Sequence, residues 1–281
     1  MRVSEALRAG TERLAATSDT ARLDAELLMA HALGVSRSDL LLKHTGDAAP
    51  DGFAALIERR AKHEPVAYIT GWTEFYGLRL QVEPGVLIPR GDSETLIEAA
   101  REVLADAPPR RVLDLGIGSG ALLLAALDLW PEAQGTGIDD ALAPIRVTDC
   151  NARKLGMAER VRLFRRDWSR PGWDRDLGQF DLILANPPYV EADAALDPDV
   201  RDYEPASALF AGAEGLDDYR VLIPQLPALL NDGGIAVVEI GFAQADAVSQ
   251  IAAAAGLSAT LRHDLGNRPR ALVLRLGLGK A

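Results

Sequence analysis

Arg111-Val112-Leu113-Asp114-Leu115-Gly116-Ile117-Gly118-Ser119-Gly120 runs a short apolar segment into a loop of three glycines, and Ala121 to Trp130 continues as the most apolar run in the chain. Five residues bounded by glycine have the length of a buried strand, and the run beyond Gly120 has the length of a helix. A strand, a tight glycine turn and a helix in that order make the opening of a βαβ unit. From here the pattern repeats. Strands are expected at Arg111 to Leu115, Gln134 to Ile138, Val161 to Phe164, Phe180 to Ala185 and Ile235 to Ile240, with helices from Ala121, Leu142, Leu216 and Ala243 onward. Such alternation predicts a parallel sheet covered on both faces. Ser258 to Asp264 and Ala271 to Leu276 are expected to close its edge as an antiparallel pair.

Residues before this unit read differently. Asp19 or Thr20 is placed to cap a helix showing Leu23, Leu27, Leu28 and His31 on one face and ending at Gly34. Ser36 and Asp51 suggest two further helix starts, the second burying Phe53, Leu56 and Ile57. Between Trp72 and Pro89 the period becomes two. Tyr76, Leu78, Leu80 and Val82 alternate with other residues, Pro84-Gly85 marks a turn, and Val86 to Ile88 runs back as a hairpin. Asp92 then reads as the cap of a helix presenting Leu96, Ile97, Ala100, Val103 and Leu104. The expected division is a helical domain over residues 1–71, a hairpin linker over 72–91 and an α/β domain over 92–281.

Composition bounds the function. The 281 residues are 48% hydrophobic and 25% charged, which suits a globular protein with a sizeable core. The run Ala121 to Trp130 is interrupted by Asp128 and is too short to span a bilayer, and Met1 to Glu5 leads into no apolar signal core, so a cytoplasmic protein without a membrane role is expected. One cysteine, Cys150, excludes an internal disulfide, and the four histidines lie too far apart in sequence to suggest a metal site. Of the net charge of −11, residues 92–281 carry −10, because residues 1–91 hold 11 Lys and Arg against 12 Asp and Glu. A protein that grips nucleic acid should show the opposite sign.

Chemistry concentrates at strand ends. In open α/β sheets ligands bind beyond the carboxyl ends of the strands where the strand order reverses, so the Gly116–Gly120 loop is a candidate cofactor cradle. Its G-x-G-x-G spacing differs from the G-x-G-x-x-G of dinucleotide sites, and no P-loop lysine follows. Asp139 ends the second strand where a carboxylate can accept ribose hydroxyls, and Asp167-Trp168 follows the third, with a ring to lie beside adenine. Together these favour a nucleoside cofactor without a pyrophosphate. S-adenosylmethionine fits, its positive groups suiting a site with Asp114. At the end of the fourth strand stands Asn186-Pro187-Pro188-Tyr189. Neither proline can donate to a ladder, so the strand stops in a stiff corner. The Asn186 side-chain oxygen and the Pro187 carbonyl are two fixed acceptors, enough to hold both hydrogens of one planar NH2 group.

The Asp-Leu-Gly-x-Gly-Ser-Gly loop, Asp167-Trp168 and Asn186-Pro187-Pro188-Tyr189 together resemble the class I S-adenosylmethionine methyltransferases that act on planar nitrogens. More narrowly, Arg22 to Leu28, Glu64 to Gly71, Val86 to Arg90, Glu204-Pro205, Asp217 to Arg220 and Glu239-Ile240-Gly241 resemble the protein-glutamine methyltransferases of peptide chain release factors, the HemK family. The resemblance spans nearly the whole chain. It implies a helical N-terminal domain, a hairpin linker and a seven-stranded Rossmann-like domain. It implies that Gly116, Ile117, Gly118, Ser119, Gly120, Asp139 and Trp168, with Asn186, contact the cofactor. Asn186 and Pro187 would hold a glutamine amide, with Pro188 and Tyr189 shaping the pocket. The implied substrate is the glutamine of a release factor's Gly-Gly-Gln loop. From the residues themselves no metal and no directly bound nucleic acid are expected, and the oligomeric state stays open with a monomer favoured. Ile117 stands where the family usually has threonine, Gly91 where it has proline, and Asp140-Ala141 where an apolar residue and a serine are usual, and Gly266 to Arg270 also differs from the family's terminal motif. Two other readings stay open at this point: a methyltransferase acting on the exocyclic amine of adenine, and a cofactor-binding paralogue without activity.

Overall fold

A computed structural model of the protein describes residues 1–277. Its chain packs into two compact units, one made of Met1–Trp72, Val82–Pro84 and Leu196–Glu204, the other of Thr73–Gln81, Gly85–Ala195 and the residues from Pro205 on.

The first unit is helical. Helices Val3–Leu14, Ala21–Leu33 and Phe53–Arg60 surround Leu14, Leu28, Met29, Leu40, Phe53 and Ile57. Gly10 lets two of them approach closely, because a Cβ there would lie 3.0 Å from Ile57 Cδ1 and 3.1 Å from Phe53 Cζ. Gly34 takes the left-handed conformation that ends the second helix. The face that helix buries differs from the expected one. Leu23 and His31 are exposed, whereas Asp24 and Glu26 are buried. The reason is ionic: Arg60 Nε reaches Asp24 at 2.7 Å, and Arg22 and Arg37 hold Glu26 at 2.9 and 2.6 Å. Ser36 caps its helix by accepting from the Asp39 N–H, while the helix expected from Asp51 begins at Phe53 behind Gly52.

β1 (Trp72–Phe75) and β2 (Leu78–Gln81) form the hairpin, which belongs to the second unit from Thr73 on. Its turn is Tyr76-Gly77, both at positive φ (50° and 76°), the geometry of a two-residue hairpin loop. Pro84-Gly85 therefore turns irregular chain, and Val86 to Ile88 forms no return strand, although Val86 and Ile88 are buried. Asp92 caps nothing. It sits in a 3₁₀ turn, Gly91–Ser93, ahead of helix Glu94–Val103, and pairs with Arg270 at 3.0 Å.

Seven further strands make one sheet: β3 (Arg111–Leu115), β4 (Gln134–Asp139), β5 (Val161–Arg165), β6 (Phe180–Ala185), β7 (Leu230–Glu239), β8 (Leu257–His263) and β9 (Pro269–Leu276). Their order is β5-β4-β3-β6-β7-β9-β8, parallel through β7 and antiparallel at the β9 and β8 edge. Strand residues alternate between two cores. Val112, Leu182, Leu184 and Val237 pack with helices Glu94–Val103 and Ala121–Leu129, while Leu113, Leu115, Ile183 and Val238 pack on the opposite face against Tyr219, Leu222 and Val248. Both faces are therefore covered, and the loops at the carboxyl ends of β3 to β6 are left for ligands. Among the described residues no helix is long and apolar enough to cross a membrane.

Candidate active site

Strand β3 lies between β4 and β6, so the chain leaves it in opposite directions across the sheet. Leu115 pairs with Ala185, which starts the Gly116 loop and the Asn186 corner side by side. Gly116 has φ +80°, and a Cβ built there would lie 3.4 Å from Trp168 Cη2 and 3.8 Å from the Asn186 carbonyl oxygen. One glycine thus stands beside both the aromatic ring and the corner that the sequence marks separately.

A cavity of about 340 Å³ opens here. Gly116, Ile117, Gly118, Ser119, Asp139, Trp168, Asn186 and Pro188 line it, and Gly120, Pro187 and Tyr189 do not. Gly120 is instead a packing position, because a Cβ would meet Thr148 Cγ2 at 2.8 Å. The Ile117 side chain packs over β4, so close that a Cβ on Gly137 would lie 2.7 Å from its Cδ1. An apolar residue at 117 is therefore matched by the space glycine leaves across from it.

Asp139 receives the Gly118 N–H at 3.2 Å on one oxygen and the Ala141 N–H at 3.0 Å on the other, the Asp140 N–H also donates to it, and the carboxylate still has lone-pair capacity for a further donor. Burial pushes its pKa up to about 6, against those three donors. Asp114 takes the Leu123 N–H at 3.1 Å on Oδ2, while Oδ1 is buried without a partner among the described residues. Burial, with Asp139 nearby, raises its carboxyl well above the usual range. Trp168 donates its indole N–H to Asp218 at 3.3 Å. This donor set fits S-adenosylmethionine: glycine backbone for close approach, Asp139 lone pairs for ribose hydroxyls, a flat ring for adenine, and the orphaned Asp114 oxygen for positive charge.

At the corner, Asn186 Nδ2 lies 3.4 Å from Ser93 Oγ. The chain beyond is pinned by the Tyr189 and Val190 N–H groups, both donating to the Leu209 carbonyl at 3.2 and 2.8 Å. The Tyr189 hydroxyl turns behind the corner and donates to Glu239 Oε1 at 3.2 Å. Burial and that carboxyl raise the Tyr189 pKa, so its proton stays on. Ser93, Asp218 and Phe75 also line the cavity, and sequence reasoning gave none of them a role. Glu239 carried a signal, since a carboxylate inside the apolar run Ile235 to Ile240 needs partners.

Residues 5–71 match the family model of the PrmC N-terminal domain, and residues 92–203 that of the methyltransferase small domain. The chain is 43% identical over 236 residues to the release factor glutamine methyltransferase of Geobacter sulfurreducens, covering 82% of this chain and 80% of that protein. This chain belongs to the release factor glutamine methyltransferase family. Against the member from Cereibacter sphaeroides it is 42% identical over 98% of its own length and 99% of the other's. Among solved structures, the ribosomal protein L11 methylase of Lactobacillus delbrueckii subsp. bulgaricus superposes with a TM-score of 0.50 at 24% identity, covering 70% of this chain and 85% of that one, which shows the shared fold. As a release factor glutamine methyltransferase family member, the chain is an S-adenosylmethionine-dependent methyltransferase.

Proposed function

We propose that this chain transfers a methyl group from S-adenosylmethionine to the side-chain amide nitrogen of the glutamine in the Gly-Gly-Gln loop of peptide chain release factors. Beside membership of the family, the observation that carries this reading is the closeness of the Asn186 corner to the Gly116 loop, which sets Asn186 in the wall of the cofactor cavity with Pro187 next to it in the chain. Bound in that cavity, S-adenosylmethionine supplies a methyl group made electrophilic by its sulfonium.

The protein's task is to present a poor nucleophile. An amide lone pair is delocalised into its carbonyl, so the nitrogen must be oriented and the charge that develops on it offset. Asn186 Oδ1 and the Pro187 carbonyl accept the two N–H bonds, which fixes the amide plane and stabilises the positive nitrogen. The proton then leaves to water after transfer. Pro188, Phe75, Leu87 and Pro89 form an apolar side of the cavity and keep water from competing. On the cofactor side, Gly116 to Ser119, Asp139 and Trp168 hold the nucleoside.

Residues 1–71 are assigned to recognition of the release factor, 72–91 to the linker and 92–281 to transfer. Leu196–Glu204, which folds into the helical unit, joins the recognition part. The enzyme acts as a monomer in the cytoplasm and grips no nucleic acid. Acidic Glu191, Asp193, Asp197, Asp199, Asp202 and Glu204 follow the corner against Arg201 alone, a charge that repels phosphates.

The test uses labelled S-adenosylmethionine with a release factor, its Gln→Ala variant at the Gly-Gly-Gln loop, DNA and RNA in parallel. Label on the wild-type factor alone is expected. Label on nucleic acid moves the activity to adenine, and cofactor binding without transfer makes the chain an inactive paralogue.

A further inference from the structure

Behind Asn186 stands a buried carboxylate that methyl transfer as described does not use. Glu239, at the end of β7, is 1% exposed. Its Oε1 receives the Tyr189 hydroxyl at 3.2 Å, the Ser93 hydroxyl hydrogen-bonds to the same carboxyl, and Oε2 has no partner among the described residues. Ser93 is itself 3% exposed and meets Asn186 Nδ2 at 3.4 Å. Glu239, Ser93 and Asn186 therefore form a short chain that leads from the core to the cavity wall.

Proton counting gives this chain a direction. An ionised carboxylate only accepts, so Ser93 must donate its single proton to Glu239. The serine oxygen is then left with lone pairs alone on the side of Asn186, and only the NH2 end of the carboxamide can satisfy them. We propose that Ser93 and Glu239 are positioning residues that turn the Asn186 carboxamide so that its NH2 faces Ser93 and its oxygen faces the substrate amide. The inference rests on the reading of Asn186 as the acceptor of that amide. A carboxamide is nearly symmetric in shape, so packing alone does not choose between its two ends. With the wrong end forward, the asparagine NH2 meets the substrate NH2, donor against donor, and binding in the reactive pose is lost.

The surroundings keep the carboxylate usable. Arg270 of β9 attracts the Glu239 charge, while Asp92, from the 3₁₀ turn, opposes it and pairs with Arg270 at 3.0 Å, as Asp264 does at 3.5 Å. Tyr219 donates to the Glu239 backbone carbonyl at 2.9 Å, and Arg90 acts on Tyr189. Burial dominates and pushes the Glu239 pKa up to about 7. Below that pH the protonated carboxyl no longer compels Ser93 to donate, and the orientation of Asn186 loosens.

The experiment measures kcat and both KM values with a release factor from acidic to alkaline pH, for wild type, Ser93→Ala, Ser93→Thr, Glu239→Gln, Asn186→Ala and the Ser93→Ala/Asn186→Ala double variant. Ser93→Ala is expected to lower kcat by about tenfold with the cofactor KM unchanged, and Ser93→Thr, which keeps the hydroxyl, to restore most of it. In the Asn186→Ala background Ser93→Ala should cost nothing further, because the group it orients is gone. Wild-type kcat should fall on the acid side with an apparent pKa near 7, and Glu239→Gln should lack that limb. Equal, additive losses in both backgrounds, or an acid limb retained in Glu239→Gln, overturn the proposal. If Asn186→Ala itself keeps its kcat, the reading of Asn186 fails; if only the Ser93 and Glu239 variants are silent, the positioning role alone fails. The Glu239→Gln pH profile decides the matter even where Ser93→Ala does not fold.

Discussion

Two pairs of buried carboxylates in this chain live under opposite regimes. In the helical unit, Asp24 and Glu26 are 5% and 3% exposed. Asp24 takes hydrogen bonds from Arg60, Ser18 and Thr20, and Glu26 is held by Arg22 and Arg37. Burial alone would raise the Glu26 carboxyl, but the two arginines outweigh it and hold its pKa below the usual value. In the α/β unit, Asp114 and Glu239 are equally buried, each 1% exposed, and each has an oxygen without a partner among the described residues. Both are pushed upward by burial. Burial is common to all four, so partnering is what separates them. Satisfied acids fasten a fold, whereas incompletely satisfied ones mark where a ligand or a catalytic side chain completes the set.

The contrast breaks most visibly at Asp24. Asp24→Ala leaves the Arg60 guanidinium buried without its main partner and should cost about 3–5 kcal/mol in a denaturant titration. A change under about 1 kcal/mol would remove the distinction.

Glu239 should behave in the opposite way. Its folded pKa, about 7, lies above its ordinary value of 4.5, so the folded chain holds this proton more tightly than the unfolded one. Stability therefore falls as pH rises from about 4.5 to 7, by roughly 3 kcal/mol in all, and the cost is fully present above that window. Glu239→Gln should lack this slope and overtake the wild type at pH 8 in thermal melts. A parallel pH dependence in the two proteins would place Glu239 with the satisfied acids.

The smallest effect belongs to the cofactor cradle. Asp139→Asn should weaken S-adenosylmethionine binding by about tenfold, read by calorimetry, while the rate at saturating cofactor changes little. Wild-type affinity should fall as pH drops through about 6, where Asp139 takes up its proton, and the Asn variant should not follow.

The sheet was legible because its strands are buried on both faces and read as short apolar runs closed by glycine or proline; Phe180 to Ala185 ends at Asn186-Pro187 in the sequence and in the structure alike. The hairpin was misread because Pro84-Gly85 is the stronger turn signal, whereas Tyr76 gives no hint that it adopts a φ of 50°. The buried face of helix Ala21–Leu33 was misjudged because Asp24 and Glu26 find partners 36 and 11 residues away, which no local pattern displays. Distance in sequence also hid the support of the site. Ser93 lies 93 residues from Asn186, and Tyr189 lies 50 from Glu239. Asn186, Gly116 and Asp139 announced themselves because each ends a strand, where chemistry in this type of sheet gathers.

The most direct test compares chemistry with binding in one variant. Asn186→Ala is mixed with saturating S-adenosylmethionine and a release factor in a single turnover, and its cofactor Kd is measured on the same preparation. The rate is expected to fall on the order of 10²–10³ with the Kd within about threefold of wild type. A Kd weakened as much as the rate, or a rate left intact, would contradict the reading of Asn186.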